Sequence, residues 1–485
     1  VGVINSNIQG YQYVAGIAGR AYYTNITNCY NTSSVSGSSL YVGGVVGYNY
    51  SSTVENSYNT GLVAGTQQVG GVVGSNTSST VENSYNTGDV TSTYTGTHGD
   101  VGGVVGINYS STVENSYNTG SVTASSQRVG GVVGNNSYSS TVENSYNTGD
   151  VTSTYTGTHG DVGGVVGINY SSTVENSYNT GSVTASSQRV GGVVGYNYSS
   201  STVSNSYNTG DVTSSRPYVG GVVGYNSSTV SNSYNTGDVT STYTGTYAYT
   251  GGIVGRNYSI INNCYWGINC ILEDAYGLND GTVSNCSTFS SDSDPVTESW
   301  YSSTSGNWDS SYLWDFETVW GITEFANNGY PFLRGVGVGE DLPTNYDLLW
   351  TDDEVTTRDT DFEGSGTASD PYLISSAEEL AGLAYLTNIS SSTTYNNSNV
   401  YYLQTADIDV SAYWWDSIGT STSSTYWFRG HYDGGGHTVS GIYTQPGSSS
   451  TCNYQGLFGY VYGVSSINRA EISNVGVINS NIQGY

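Results

Sequence analysis

The chain has 485 residues, of which 36% are hydrophobic, with 66 glycines, 47 tyrosines, no methionine and a net charge of −29. That length allows a large core or two to three domains, but so few apolar residues among so much glycine exclude a conventional globular interior and suit thin, repetitive β architecture. All nine basic residues are arginine, and the acidic excess repels polyanions, so nucleic acid is excluded as a partner.

The acids are unevenly placed. Residues 1–262 carry 11 against five arginines, net −6, whereas residues 263–485 carry 27 against four, net −23. No run is long enough to cross a bilayer, and no signal peptide is visible. The five cysteines, Cys29, Cys264, Cys270, Cys286 and Cys452, show neither a CxxC pair nor metal-ligand spacing. Disulfides among Cys264, Cys270 and Cys286 suit an oxidising compartment, with the pairing left open.

The first eleven residues, "VGVINSNIQGY", recur as residues 475–485, an offset of 474. The flanks of both copies read as one continuous stretch, so we expect a polypeptide periodic at that length, with this chain covering one period. The phrase "VGGVVG" then begins at Val42, Val69, Val101, Val129, Val162, Val190 and Val219, with variants at Val14 and Thr250, giving spacings of 28, 27, 32, 28, 33, 28, 29 and 31 residues. Such a period signals a solenoid. Each unit adds "STVENSYNTG" or "STVSNSYNTG" and a Val/Thr-rich segment, punctuated by Gly, Asn and Ser at turns. β-Branched residues dominate and no apolar 3.6-residue pattern is sustained, so the expected fold is all-β, a β-solenoid of stacked coils of about 27–33 residues.

Stacking places equivalent residues in columns about 4.8 Å apart. One column is Tyr58, Tyr85, Tyr117, Tyr146, Tyr178, Tyr207 and Tyr234; its neighbours are Asn56, Asn83, Asn115, Asn144, Asn176, Asn205 and Asn232. Strand alternation assigns Val54, Asn56 and Tyr58 to one face, which predicts paired aromatic and amide ladders. Glu55, Glu82, Glu114, Glu143 and Glu175 form a column that must face solvent or bind cations, because buried like charges at that spacing are too costly. Solvent is the expectation and no cofactor is called for; calcium is a minor alternative, since the glycine and aspartate nonapeptides of calcium-binding β-rolls are absent. Residues 79–134 recur unchanged as residues 140–195, as copying of two coils would produce.

Asn49, Asn76, Asn108, Asn135, Asn169, Asn197, Asn226 and Asn257 each begin an N-x-S/T sequon just after the glycine phrase. They stand as candidate glycosylation sites, although repeat copying and the turn chemistry of Asn account for their position equally well.

Beyond the array, Ser376 and Glu379 form a capping-box pattern, and Leu380, Leu383 and Ala384 give the following segment one apolar face, which predicts a short capping helix. Its expected task is to cover an open coil end. All nine tryptophans lie after residue 262, as compact end modules would require.

Catalytic chemistry finds little support. The histidines are His98 and His159 in "THGD" turns, His431, and His437 in "DGGGHTVSG"; no HExxH and no lysine are present. Asp407 with Asp409 and Asp359 with Asp361 are Asp-x-Asp pairs of the kind common in solvated turns, and no nucleophile and base constellation accompanies them.

The units "VGGVVGYNYSSTVENSYNTG", over about residues 14–262, resemble the GLUG repeat of secreted and surface-attached prokaryotic proteins, including adhesin-like ones. "GSGTASDPYLISSAEELAGLAYLTN" and "FRGHYDGGGHTVSGIY" resemble the module preceding such arrays, and "WDFETVWGITEFANNGYPFL" the segment following them. This implies a repeat solenoid over 1–262, an exit or capping module over 263–335, an acidic linker over 336–363, the leading cap of the next period over 364–474, and the start of its solenoid at 475–485. The function implied is an extracellular or cell-surface structural protein, without catalysis, serving as the repeating unit of a filament, fibre or sheath. Its partners are further copies of itself, head to tail. An adhesin stalk binding glycans or host surfaces is the alternative, and a carbohydrate-active β-helix enzyme a third reading.

Overall fold

The computed structural model describes residues 1–267 and 276–288, and most of 314–482 apart from 317, 323–326, 328–329, 338–342, 344, 391–392, 420–423, 445–454, 464–468, 479 and 481. Cys270, Cys452, Trp300 and Trp308 therefore lie outside the described residues, as do five residues of the repeated phrase at 475–485. The described chain is nearly all β, and its first unit is a parallel β-solenoid.

One coil shows the pattern. Strands Asp100–Gly102, Val105–Tyr109, Thr112–Glu114, Tyr117–Asn118 and Val122–Ala124 follow one another around the coil. Each pairs in parallel with its equivalents in the coils before and after, which builds five sheets of 9, 10, 10, 11 and 9 strands among the described residues. Pairing joins like with like, for example Val54 with Val81 and Val81 with Val113.

The interior is a column of valines. Val101, Val104, Val105, Val113 and Val122 of this coil are all 0% exposed, and the same positions recur buried coil after coil. The glycines are dictated by how close the coils lie. A Cβ on Gly103 would sit 2.0 Å from the carbonyl oxygen of Gly131 in the next coil and 2.4 Å from Cγ of Asn118, and one on Gly102 would sit 2.6 Å from the carbonyl oxygen of Val132 in the next coil.

Two asparagine ladders run through the buried interior. The Nδ2 of Asn31 donates to Oδ1 of Asn59 at 2.7 Å, and the series continues through Asn86, Asn118, Asn147, Asn179, Asn208 and Asn235 at 2.7–2.8 Å. Each Nδ2 also donates to a carbonyl two residues ahead, as from Asn118 to Gly120 at 2.6 Å. The second ladder runs Asn49, Asn76, Asn108, Asn136, Asn169, Asn197, Asn226, Asn257 and Asn279 at 2.7–3.0 Å. A carboxamide suits this use because it both donates and accepts along the stack.

The first unit comprises Val1–Gly321 and Leu333–Gly337. Tyr276–Asn279, Thr282–Ser284 and Ser287–Thr288 continue the stack beyond residue 262. Cys264 and Cys286 are free thiols in successive coils there, and the hydrogen bond between them pushes Cys286 down, while burial pushes Cys264 up. Trp314 and Trp320 fold over the late members of the tyrosine column, with ring centroids 6.0 Å from Tyr234. Arg334 holds that segment, donating from Nε to the Trp320 carbonyl at 2.7 Å and from Nη2 to that of Phe316 at 2.9 Å.

The second unit, Ile322–Phe332 and Val338–Tyr485, has its own core. A parallel sheet of Tyr372–Ile374, Tyr401–Gln404, His431–Asp433 and Glu471–Ser473 accompanies a smaller one of Ile408–Asp409, Thr438–Ser440 and Gly476–Ile478. The helix α1 (Ala377–Asn388) starts on a complete capping box, Ser376 with Glu379. Leu380, Leu383 and Ala384 enter the same core as Ile374, Tyr402 and Tyr432, to which the acidic stretch 336–363 contributes Trp350, Val355 and Phe362.

The amide ladders carry a direct prediction. Asn118→Ala removes the acceptor of Asn86 Nδ2 and the donor to Asn147 Oδ1 inside a dry stack, a loss of about 2 to 4 kcal/mol for two orphaned groups. Thermal unfolding followed by circular dichroism should show that loss, whereas Thr119→Ala, at an exposed position of the same turn, should leave the transition in place.

Candidate functional site

The tyrosine column stacks face to face. From Tyr58 through Tyr85, Tyr117, Tyr146, Tyr178 and Tyr207 to Tyr234 the ring centroids are 4.7–4.9 Å apart and the planes within 7°. Tyr58 to Tyr146 are half-buried, and Tyr178, Tyr207 and Tyr234 are buried.

The expected partner column needs correction. Asn56, Asn83, Asn115, Asn144, Asn176, Asn205 and Asn232 have φ of 46–49°, so they are left-handed turn residues between two strands and not members of either. Such a residue redirects the chain and restarts the alternation. Val54 and Asn59 consequently point inward, while Tyr58 stands on the outer surface. Within this column the late members Asn205, Asn232 and Asn263 are bonded to one another, at 3.3 and 3.1 Å. The continuous ladder belongs instead to Asn59 and its equivalents, three positions further on.

The sequons need correction too. Asn49, Asn76, Asn108, Asn169, Asn197, Asn226 and Asn257 are 0% exposed, and their amide nitrogens, the atoms a glycan would need, are spent in the second ladder. Asn135 is 8% exposed, and Asn136 takes its place in the ladder. A further sequon, Asn25-Ile26-Thr27, has its asparagine exposed. Peptide mass mapping of material from a glycosylating host should find those eight asparagines bare, with any occupancy at Asn25.

Glu55, Glu82, Glu114, Glu143 and Glu175 lie in direct register and half-buried. Partial burial and the neighbouring carboxylates push Glu82 and Glu114 above the ordinary range. Among the described residues no cluster of three His, Cys, Asp or Glu side chains could hold a metal ion, and no helix is long and apolar enough to cross a membrane. The Asp-x-Asp pairs serve turns: Asp407 accepts from the Thr438 amide at 2.8 Å, which holds its carboxyl below the usual range, Asp409 accepts from the Ser411 amide, and Asp359 from that of Asp361.

The array departs from its own pattern at a groove in its middle. The residue preceding the "VGG" phrase is Tyr13, Tyr41, Gln68, Asp100, Arg128, Asp161, Arg189, Tyr218 and Tyr249 in successive coils. It is therefore aromatic at both ends, with a glutamine and four charged residues between them. Asp100, Arg128, Asp161 and Arg189 pair in register as a ladder of alternating sign. Arg128 Nη1 lies 3.0 Å from Asp100 Oδ1, and Arg189 Nε 2.5 Å from Asp161 Oδ1. Asp100 and Asp161 are almost wholly buried, which alternation makes tolerable, since each carboxylate gains a guanidinium.

An outward position one strand later changes in parallel: Tyr48, Ser75, Ile107, Asn135, Ile168, Tyr196 and Tyr225 occupy one register. Smaller side chains in the middle leave a cavity of about 590 Å³ lined by both columns, by His98 and His159 of the "THGD" turns, and by Tyr109, Tyr138, Tyr170 and Tyr198. The last four form a ribbon with successive centroids 4.6, 5.3 and 5.6 Å apart. Arg189 lies over the ring of Tyr196 at 4.0 Å. Gln127 Nε2 donates to the His159 carbonyl at 3.1 Å, while Gln127 Oε1, Gln68 Oε1 and Arg128 Nε are buried with no partner in the protein.

Sequence reasoning missed this groove, though a signal existed: Arg128 follows Asp100 and Arg189 follows Asp161 by 28 residues, one coil of the array.

Comparison with known proteins bears on the framework around the groove. The family model described as the GLUG motif matches residues 10–36, 38–63, 65–91, 97–123, 125–152, 158–184, 186–213 and 215–240. Residues 10–240 of the array thus carry eight matches to the GLUG motif. A curated relative, Halomucin of Haloquadratum walsbyi, is 31% identical over 144 residues, 28% of this chain and 2% of the relative. The chain thus spans a small fraction of that protein's length. A solved structure described as a "putative immunoglobulin A1 protease" from Bacteroides ovatus is similar over 65% of this chain and 86% of its own, with 15% identity and a TM-score of 0.29. The groove-lining residues Gln68 to Tyr198 all fall within the third to seventh GLUG motifs or the short joins between them.

Burial lifts Asp161 to about 6 and raises Asp100 as well, against the pull of their arginines. A carboxyl whose pKa is higher folded than unfolded binds more protons in the folded state, so stability falls as pH rises through that window. The melting temperature should therefore rise as pH is lowered from 7 towards 5, with Glu82 and Glu114 acting in the same direction. Asp161→Asn should flatten that pH profile, measured by calorimetry from pH 4.5 to 7.5.

Proposed function

We propose that this chain is a structural protein of the cell surface, a repeating element of an extracellular filament, fibre or sheath, with no catalytic role. The observation that carries the reading is continuity: five sheets run through every coil of the array with valine, asparagine and tyrosine in register. A stack of this kind resists bending and local opening, since each coil is bonded to two others. The GLUG motifs and the similarity to Halomucin support a surface setting. The acidic excess keeps such a surface hydrated and soluble. Further copies of the chain, head to tail, are the partners this reading requires.

The adhesin reading gains support from the groove, because a purely mechanical stack has no use for a buried charge ladder beside exposed tyrosines.

The test is immunogold electron microscopy of source cells with antibody raised against the 485-residue chain. Label along surface fibres or a sheath layer is expected; label confined to the cell interior would overturn the proposal.

A further inference from the structure

The groove over coils three to seven departs from the repeat in two registers at once, and both departures open space and supply polar groups. We propose that it binds a neutral oligosaccharide, laid along the solenoid axis across Tyr109, Tyr138, Tyr170 and Tyr198. This goes beyond the structural role and stands whether or not the chain forms filaments.

Three observations choose the ligand class. The charged column is balanced, Asp100 against Arg128 and Asp161 against Arg189, so the groove offers no net charge to a phosphate, sulfate or uronate. Three members of the tyrosine ribbon are exposed, Tyr109 at 38%, Tyr138 at 50% and Tyr198 at 42%, with Tyr170 half-buried between them, and aromatic rings next to polar groups suit the C–H-rich surface of a pyranose. Gln127 is 8% exposed, yet its Oε1 has no partner, and neither has Gln68 Oε1 or Arg128 Nε. Buried polar atoms left unpaired are costly, and ligand hydroxyls, which both donate and accept, can satisfy all three.

The geometry also sets the length. The lining runs from Gln68 to Arg189, five coils with four steps between them, about 19 Å at strand spacing. The repeat along this axis lies close to that of successive sugar rings in an extended chain, so equivalent contacts recur from ring to ring. The two "THGD" turns, carrying His98 and His159, stand at the rim. The Gln127 to His159 hydrogen bond fastens the second of them.

The experiment uses the full chain on an array of neutral hexose and N-acetylhexosamine oligosaccharides of two to six units, printed beside sulfated and uronic acid sets. The strongest neutral binder is then titrated calorimetrically. Retention of neutral chains is expected, weakened about tenfold or more by Tyr109→Ala and by Tyr170→Ala, and unchanged by Tyr22→Ala, an exposed tyrosine outside the groove. The same saccharide should protect Tyr109 and Tyr170 of the unaltered chain from nitration, a readout independent of whether the variants fold. Absence of neutral saccharide binding at millimolar concentration, preference for the acidic sets, or nitration of both tyrosines undiminished by ligand would overturn the proposal.

Discussion

Everything in the first unit depends on how closely one coil approaches the next at the glycine pair. A Cβ at Gly103 would lie 2.0 Å from a backbone oxygen of the following coil and 2.4 Å from the Asn118 carboxamide. No side chain fits, so the backbones meet directly and the asparagine ladder packs against them. Once this contact is made, register is fixed: each amide must find the next, at 2.8 Å, or be left buried and unbonded. The valines fill the space that remains. They supply most of the burial, but β-branched side chains alone would tolerate a slipped coil, whereas a hydrogen-bonded carboxamide column does not.

Fixed register explains why identical residues recur and why departures matter. A column of like residues is favourable for tyrosine, asparagine, serine and valine, and unfavourable for a carboxylate. The array resolves the charge problem in two ways. Its glutamates stay half in water, where solvent screens them. Its buried aspartates appear where arginine occupies the neighbouring coils. Residues 79–134 recur as 140–195, so that Asp161 and Arg189 repeat Asp100 and Arg128, and copying of two coils accounts for the ladder of four alternating charges.

The two units share one device, parallel strands stacked coil upon coil, and differ in how the surface is finished. In the first, Trp314 and Trp320 lie over the late tyrosines, and those rings are buried where the early ones are half-exposed. In the second, the helix Ala377–Asn388 joins the core, and Gly382 lets it approach the Asp359 backbone, where a Cβ would lie 1.8 Å from the carbonyl oxygen. Both finish an aromatic or aliphatic face that repetition alone would leave wet.

The sequence by itself determined the fold class, the coil length, the tyrosine column and the capped helix, because these follow from periodicity and local chemistry: a phrase recurring every 27–33 residues, and serine three positions before glutamate. Only the tertiary structure decided which asparagines point inward. Asn56 and Asn59 recur equally often, and a single left-handed residue between two short strands reverses the inference drawn from strict alternation. It also decided that the sequons are internal scaffolding, since a sequon is a local pattern while access to its nitrogen depends on the next coil. The groove was settled at the same level: its walls come from residues about one coil apart in the chain, and a cavity is the space left when several columns change together, which no single repeat records.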